Sequence, residues 1–179
     1  MALVYTYGGE TGYTDGTSGV GWAPQSFIYG GRVTFLSAGT IDQLGTYAES
    51  FSGTRTIKYA LYDTSENLVS GTSSSNSAVT SSTPIWYDGG SFTAVGVSAA
   101  DYFILYSADT HNVGYGYDTS NDGSYATEAH GDFPAGSLTT FVAEGDSAKG
   151  YGGRANFTAA AAPPFLPFYP KRENVLLRM

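Results

Sequence analysis

The chain has 179 residues, is 41% hydrophobic and 15% aromatic, and carries only 13% charged residues. That length holds one domain with a sizeable core, and the apolar content excludes an intrinsically disordered chain. The net charge of −8 works against nucleic-acid binding, the absence of Cys excludes disulfides and thiolate metal sites, and no apolar run approaches the roughly 18 residues of a membrane helix.

The start, MALVYTYGGETGY, lacks the basic and apolar regions of a secretory signal, so ALVYTY reads as a first strand rather than a leader. Residues 8–26 are rich in Gly, Thr and Ser and predict a long surface loop. RVTFL then puts Val33 and Phe35 on one face, and TIDQLGTYA continues the extended pattern. In RTIKYALYD, Ile57, Tyr59 and Leu61 point one way while Thr56, Lys58 and Ala60 point the other. NLVSGT, PIWYD and SFTAVGV are the next strand candidates. DYFILYSAD is apolar on both faces, with Tyr102, Ile104 and Tyr106 opposite Phe103 and Leu105, which predicts a central strand. NVGYGYD, SLTTFVA and RANFTA complete the series. Turn clusters separate these segments at 37–39, 50–54, 63–67, 73–77, 88–90 and 118–123.

No window of a dozen residues shows a helical period, and no repeat of about 20–50 residues is evident. Many short strands with Gly, Asn and Asp turns predict an all-β fold, an antiparallel β-sandwich. The composition divides the chain into an N-terminal strand and surface loop (1–30), the sandwich (31–158) and an extended C-terminal arm (159–179).

Catalytic patterns are weak, and the chain reads as a non-enzyme. His111 and His130 stand in polar, turn-like settings, and neither a G-x-S-x-G elbow nor an H-E-x-x-H zinc motif occurs. The sixteen acidic residues make chance carboxylate pairs inevitable, so spacing selects none as a glycosidase dyad. GYGGRA at 150–155 fits a dinucleotide fingerprint in letters only, because a strand rather than a helix follows, and it reads as a flexible turn. In DTSNDG, Asp118, Ser120 and Asp122 alternate as the first calcium-loop ligands do, but Ala129 stands where the bidentate Glu belongs. The expectation is a hairpin turn, with a weak calcium site as the alternative and no other cofactor. Tyr115, Tyr117 and Tyr125 lie among glycines, a setting that predicts exposed rings, and are the candidate glycan contacts. NFT at 156–158 fits a glycosylation sequon but carries little weight without a signal peptide.

The last segment, AAAAPPFLPFYPKRENVLLRM, combines proline with apolar side chains: Phe165, Leu166, Phe168, Tyr169, Val175, Leu176 and Leu177. Its prolines exclude a helix and a central strand, and an extended run of this length reaches about 65 Å. Residues 1–170 carry a balance of −10, whereas Lys171, Arg172 and Arg178 against Glu173 leave the end at +2. An acidic body thus ends in a slightly basic, apolar hook. Phe165, Leu166, Phe168, Tyr169, Lys171, Arg172, Val175, Leu176 and Leu177 are the candidate partner-binding residues.

Residues 31–135 resemble the jelly-roll modules of phage virion proteins and bacterial surface proteins. The resemblance rests on Ala60-Leu61-Tyr62-Asp63 before a turn, on Trp86 opening a later strand, and on the Tyr102–Tyr106 strand. It implies a lectin-like jelly roll and no particular activity. Joined to the arm, it leads to the expectation of a structural virion protein, foremost a capsid decoration protein. Such a protein, made in the host cytoplasm and displayed on the virion surface, would bind further copies of itself or the major capsid protein. The alternatives are a carbohydrate-binding adhesin that takes surface glycans, and a tail-fibre or filament subunit. Neither nucleic acid nor membrane is an expected partner.

Overall fold

The computed structural model describes residues 2–6, 27–74, 76–110, 112–118, 123–126, 133–136, 138–142 and 150–161, except for the side chains of Ser74 and Asp118. In chain order the strands are β1 (Ala2–Tyr5), β2 (Ile28–Thr34), β3 (Gly39–Ser50), β4 (Arg55–Asp63) and β5 (Asn76–Val79). They continue with β6 (Ile85–Asp88), β7 (Val95–Val97), β8 (Asp101–Ala108) and β9 (Val113–Tyr115). The last are β10 (Tyr117–Asp118), β11 (Gly123–Ala126), β12 (Gly150–Tyr151) and β13 (Gly153–Ala159).

Two antiparallel sheets dominate and form a β-sandwich. One runs β1-β13-β3-β6, with β7 and β9 also paired to the long β3; the other runs β11-β2-β8-β4-β5. β10 and β12 form a separate two-stranded pair. The chain crosses repeatedly between the sheets, and the first described strand lies beside the last described one, from Ala2 opposite Phe157 to Tyr5 opposite Arg154. β1 is thus an edge strand of the six-stranded sheet, and β2 begins at Ile28.

The inner faces meet in one core. Val33, Phe35, Ile57, Tyr59, Leu61, Ile104 and Tyr106 from one sheet pack with Ile41, Leu44, Ala48, Ala155 and Phe157 from the other. Leu61 and Ile104 are directly paired across β4 and β8 and fully buried, as the alternation predicts. β8 runs between β2 and β4 and is buried on both faces. Its second face belongs to a smaller core in which Ala60, Tyr62, Phe103 and Leu105 pack with Phe133 and Leu138. The Tyr62 hydroxyl donates to Pro134 O at 2.8 Å and fastens this cover to the sheet.

Several segments differ from their sequence reading for local reasons. NLVSGT is a fold-back rather than a strand: Gly71 has φ +91, and Val69 N donates to Leu61 O at 2.8 Å. The Thr72 hydroxyl accepts from Leu61 N at 3.0 Å and donates to Val69 O at 2.8 Å, bending the chain over the end of β4. Among its described residues, 138–142, SLTTFVA makes a single bridge, Val142 to Tyr125, after Thr140 turns the chain with φ +47. Part of the predicted 73–77 turn is instead β5, because Ser77 and Val79 gain inward positions beside β4. GYGGRA is not a flexible turn. It supplies β12 and the start of β13, where small residues let strands approach closely. Of the predicted 118–123 turn, residues 119–122 lie outside the described residues; the strands that flank it, β10 and β11, pair with β12 and β2.

Candidate functional site

The outer face of the six-stranded sheet gathers the most chemically distinctive side chains among the described residues. Alternation along β3 points Gln43, Gly45 and Tyr47 outward while Leu44, Thr46 and Ala48 face in. Register then aligns a row across four strands: Tyr5 beside Arg154, Arg154 beside Gly45, and Gly45 beside Asp88. One step along, Tyr47 stands opposite Trp86.

Gly45 makes the row possible. A Cβ there would lie 2.5 Å from Asp88 Oδ1 and 2.7 Å from Tyr87 O, so only glycine leaves the gap that Arg154 crosses to reach Asp88. Arg154 Nε donates to Asp88 Oδ1 at 2.8 Å and Nη2 donates to Oδ2 at 2.7 Å. This two-point fork fixes both groups in one plane. The Arg154 guanidinium also lies 4.7 Å from the centre of the Trp86 ring, a stacked cation–π contact. Burial works against the Arg154 cation, but hydrogen bonds to Asp88 and to the Tyr5 side chain outweigh it and raise its pKa.

Trp86 is the centre of the aromatic group. Tyr5 meets it edge-on at 5.4 Å, and Tyr47 lies tilted against it at 5.5 Å. Gly116 fits under Tyr47, where a Cβ would come within 2.2 Å of the ring. All three rings are half-buried, so each keeps part of its surface in solvent. Farther along the same face, a β-bulge between Asn156 and Phe157 turns Asp42 outward while Ile41 and Phe157 stay in the core. Asn156 Nδ2 donates to Asp42 Oδ1 at 2.9 Å, and Gln43 Nε2 donates to Gly89 O at 2.9 Å.

The residues singled out from sequence fall elsewhere. Tyr115 and Tyr117 are buried, not exposed, because the neighbouring glycines admit close strand packing instead of opening the surface. Tyr115 packs against Tyr106, Tyr29 and Tyr151 with ring centres at 4.7, 5.9 and 6.5 Å, and burial raises its pKa well above the ordinary tyrosine value. Its ring is therefore unavailable to a sugar. Tyr125 is half-buried, paired in register with Tyr29 and 6.5 Å from Phe27. Asp118 ends β10, while Ser120 and Asp122 lie outside the described residues, as do His111, His130 and the arm residues 165–177. The Asp63 carboxylate is engaged by its own turn: its Oδ1 accepts from Ser65 N and Asn67 N, both at 2.9 Å. Among the described residues no three His, Cys, Asp or Glu side chains gather as a metal site.

The fold and this face define an all-β sandwich with an aromatic, ion-paired outer surface. Compared with family models, curated proteins and solved structures, the chain matches none.

Proposed function

We propose that this protein is a structural component of a bacteriophage surface, a capsid decoration protein. In this reading its acidic sandwich, organised as a jelly roll, is the body displayed on the virion. Its C-terminal segment, 159–179, is the arm that binds neighbouring copies or the major capsid protein. Phe165, Leu166, Phe168 and Tyr169 supply the apolar grip, with Val175, Leu176 and Leu177 behind them, while Lys171 and Arg172 complement acidic surfaces. The role calls for no catalysis and no cofactor.

The observation that carries the reading is how β13 leaves the sheet. Phe157 is its last core side chain, and Thr158, Ala159, Ala160 and Ala161 are exposed. Ala160 N still donates to Ala38 O at 2.9 Å, at the margin of the sheet. Alanine side chains offer nothing long enough to hold the following segment to the sandwich. In this reading the apolar groups of residues 165–177, which follow that exposed run in sequence, meet a partner surface.

Particles purified on a density gradient test the proposal. The protein is expected at a fixed ratio to the major capsid protein by mass spectrometry, and a chain lacking 163–179 is expected to remain in the unbound fraction. Full-length protein found only in that fraction would overturn it. A carbohydrate-binding role is the second reading, favoured by the aromatic outer face.

A further inference from the structure

We infer that β1 is an acceptor edge for assembly: its open side pairs with residues 174–178 of a neighbouring copy, which add a strand to the six-stranded sheet. The inference rests on the reading that the C-terminal segment ties copies together. It names the surface and the stretch of arm that meet.

The described margins of the sandwich differ. β11 is closed by Val142: Tyr125 N donates to Val142 O at 3.1 Å, and Val142 N donates to Tyr125 O at 2.9 Å. β5 is tied to the turn after β6, where Gly90 N donates to Asn76 O at 2.8 Å. β1 ends the six-stranded sheet and, among the described residues, pairs with β13 alone. Thr6 N donates to Gly153 O at 2.8 Å, so alternation turns the backbone groups of Val4 and Ala2 toward β13 as well. The N–H and C=O groups of Leu3 and Tyr5 then face the open side, a template for another strand. Ala2 is exposed and Leu3 is 45% exposed, so nothing among the described residues covers this edge.

The sequence at the other end of the chain selects the occupant. A strand beside β1 must be apolar on both faces, because Val4 packs against the core on one side while Leu3 is bare on the other. In Asn174-Val175-Leu176-Leu177-Arg178, Val175 and Leu177 alternate with Leu176, and no proline interrupts 171–179. Leu176 opposite Leu3 places Val175 and Leu177 opposite Ala2 and Val4, whichever way the strand runs. The preceding PPFLPFYP, 163–170, has too many prolines for a strand and suits a spacer. At about 3 Å per residue, a polyproline II spacer of that length carries the end about 25 Å from its own body. β13 leaves the sheet at the end where β1 begins, since Ala2 stands opposite Phe157. Filling the chain's own edge would require that stiff spacer to reverse at once, whereas a neighbour's edge requires no reversal.

The chain has no cysteine, which makes disulfide trapping specific. Leu3→Cys and Leu176→Cys are made as separate full-length chains, mixed at equilibrium and oxidised with diamide. A disulfide-linked heterodimer is expected, in yield several-fold above that of Leu36→Cys mixed with Leu176→Cys, although Leu36 is 91% exposed. Leu3→Pro removes one outward N–H and leaves the β13 ladder in place, so it is expected to weaken self-association about tenfold or more in sedimentation, while Leu3→Ile retains it. Trapping at Leu36 equal to that at Leu3, or none at Leu3, would overturn the inference. A preferred disulfide between two Leu3→Cys chains would assign the edge to a second β1. One formed within a single chain carrying both changes would assign it to the chain's own end. Either result likewise sinks the exchange. Particle association is measured separately: full-length protein on particles without trapping at Leu3 removes this acceptor and leaves the decoration reading standing.

Discussion

Gly45 shows how one missing side chain organises a surface. The Arg154–Asp88 fork spans the strand that carries it, and an added methyl would press on Asp88 Oδ1 and on the Tyr87 backbone carbonyl. The side-chain oxygen can swing away, whereas the carbonyl is held in the sheet. Gly45→Ala is therefore expected to cost about 1–3 kcal/mol in denaturant unfolding, as overpacked sites do, and to separate Arg154 from Asp88. A stability change near zero would mean that the gap has slack. Asp63 makes a different local argument. The slight burial of its carboxyl opposes ionisation, but hydrogen bonds from Asn67 and Ser65 prevail and hold its pKa below the ordinary value. A carboxylate depressed by folding adds stability that is present above the unfolded pKa and fades as pH falls through the folded one. Asp63→Asn stays neutral throughout, so the gap in Tm between wild type and this variant is expected at neutral pH and should narrow in acid. A gap constant from about pH 7 to about pH 2 would remove Asp63 from the acid sensitivity of the fold.

β4 and β8 carry the clearest link between pattern and packing. Leu61 and Ile104 face each other in register at the centre of the sandwich, so truncating either to Ala should cost about 2–5 kcal/mol. Lys58 is half-buried on the other face of β4, and Lys58→Ala should change stability by no more than about 0.5 kcal/mol. Chemical denaturation of the three variants checks the contrast, and equal losses at Leu61 and Lys58 would contradict this register. These two strands were legible in the sequence because period two survives wherever one face is core, and because DYFILYSAD is apolar on both. β5 was not, since Ser77 earns its inward place from Tyr59, whose hydroxyl bonds it across the sheet. NLVSGT reads as a strand in composition, yet the Thr72 hydroxyl and Gly71 fold it back over β4. The outer face was half legible. The outward alternation of Gln43, Gly45 and Tyr47 can be read from β3 alone. The pairing of Arg154 with Asp88 depends on which strands lie on either side of β3, and local spacing carries no trace of that. Glycines near Tyr115 misled for a related reason: the same small residues that mark turns also permit close strand packing.

At the scale of the molecule, the proposed division of labour is between a self-sufficient sandwich and an arm that assembles it. The sandwich ties its own ends together through β1 and β13, which helps the body persist without the last residues. If the arm grips mainly through its apolar groups, Phe165→Ala with Phe168→Ala should weaken association more than Lys171→Glu with Arg172→Glu. Exposed charge pairs contribute only about 0–1 kcal/mol each, and they do so less as salt is added. Sedimentation of the two double variants ranks them, and the reverse order would make the arm electrostatic. The most direct test of the assembly claim is the solution mass, by multi-angle light scattering, of the full chain and of a chain ending at residue 162, with circular dichroism on both. The account predicts an oligomer for the full chain and a β-rich monomer for the shortened one. A shortened chain that keeps the full oligomeric mass, or that loses its β-sheet spectrum, would contradict it.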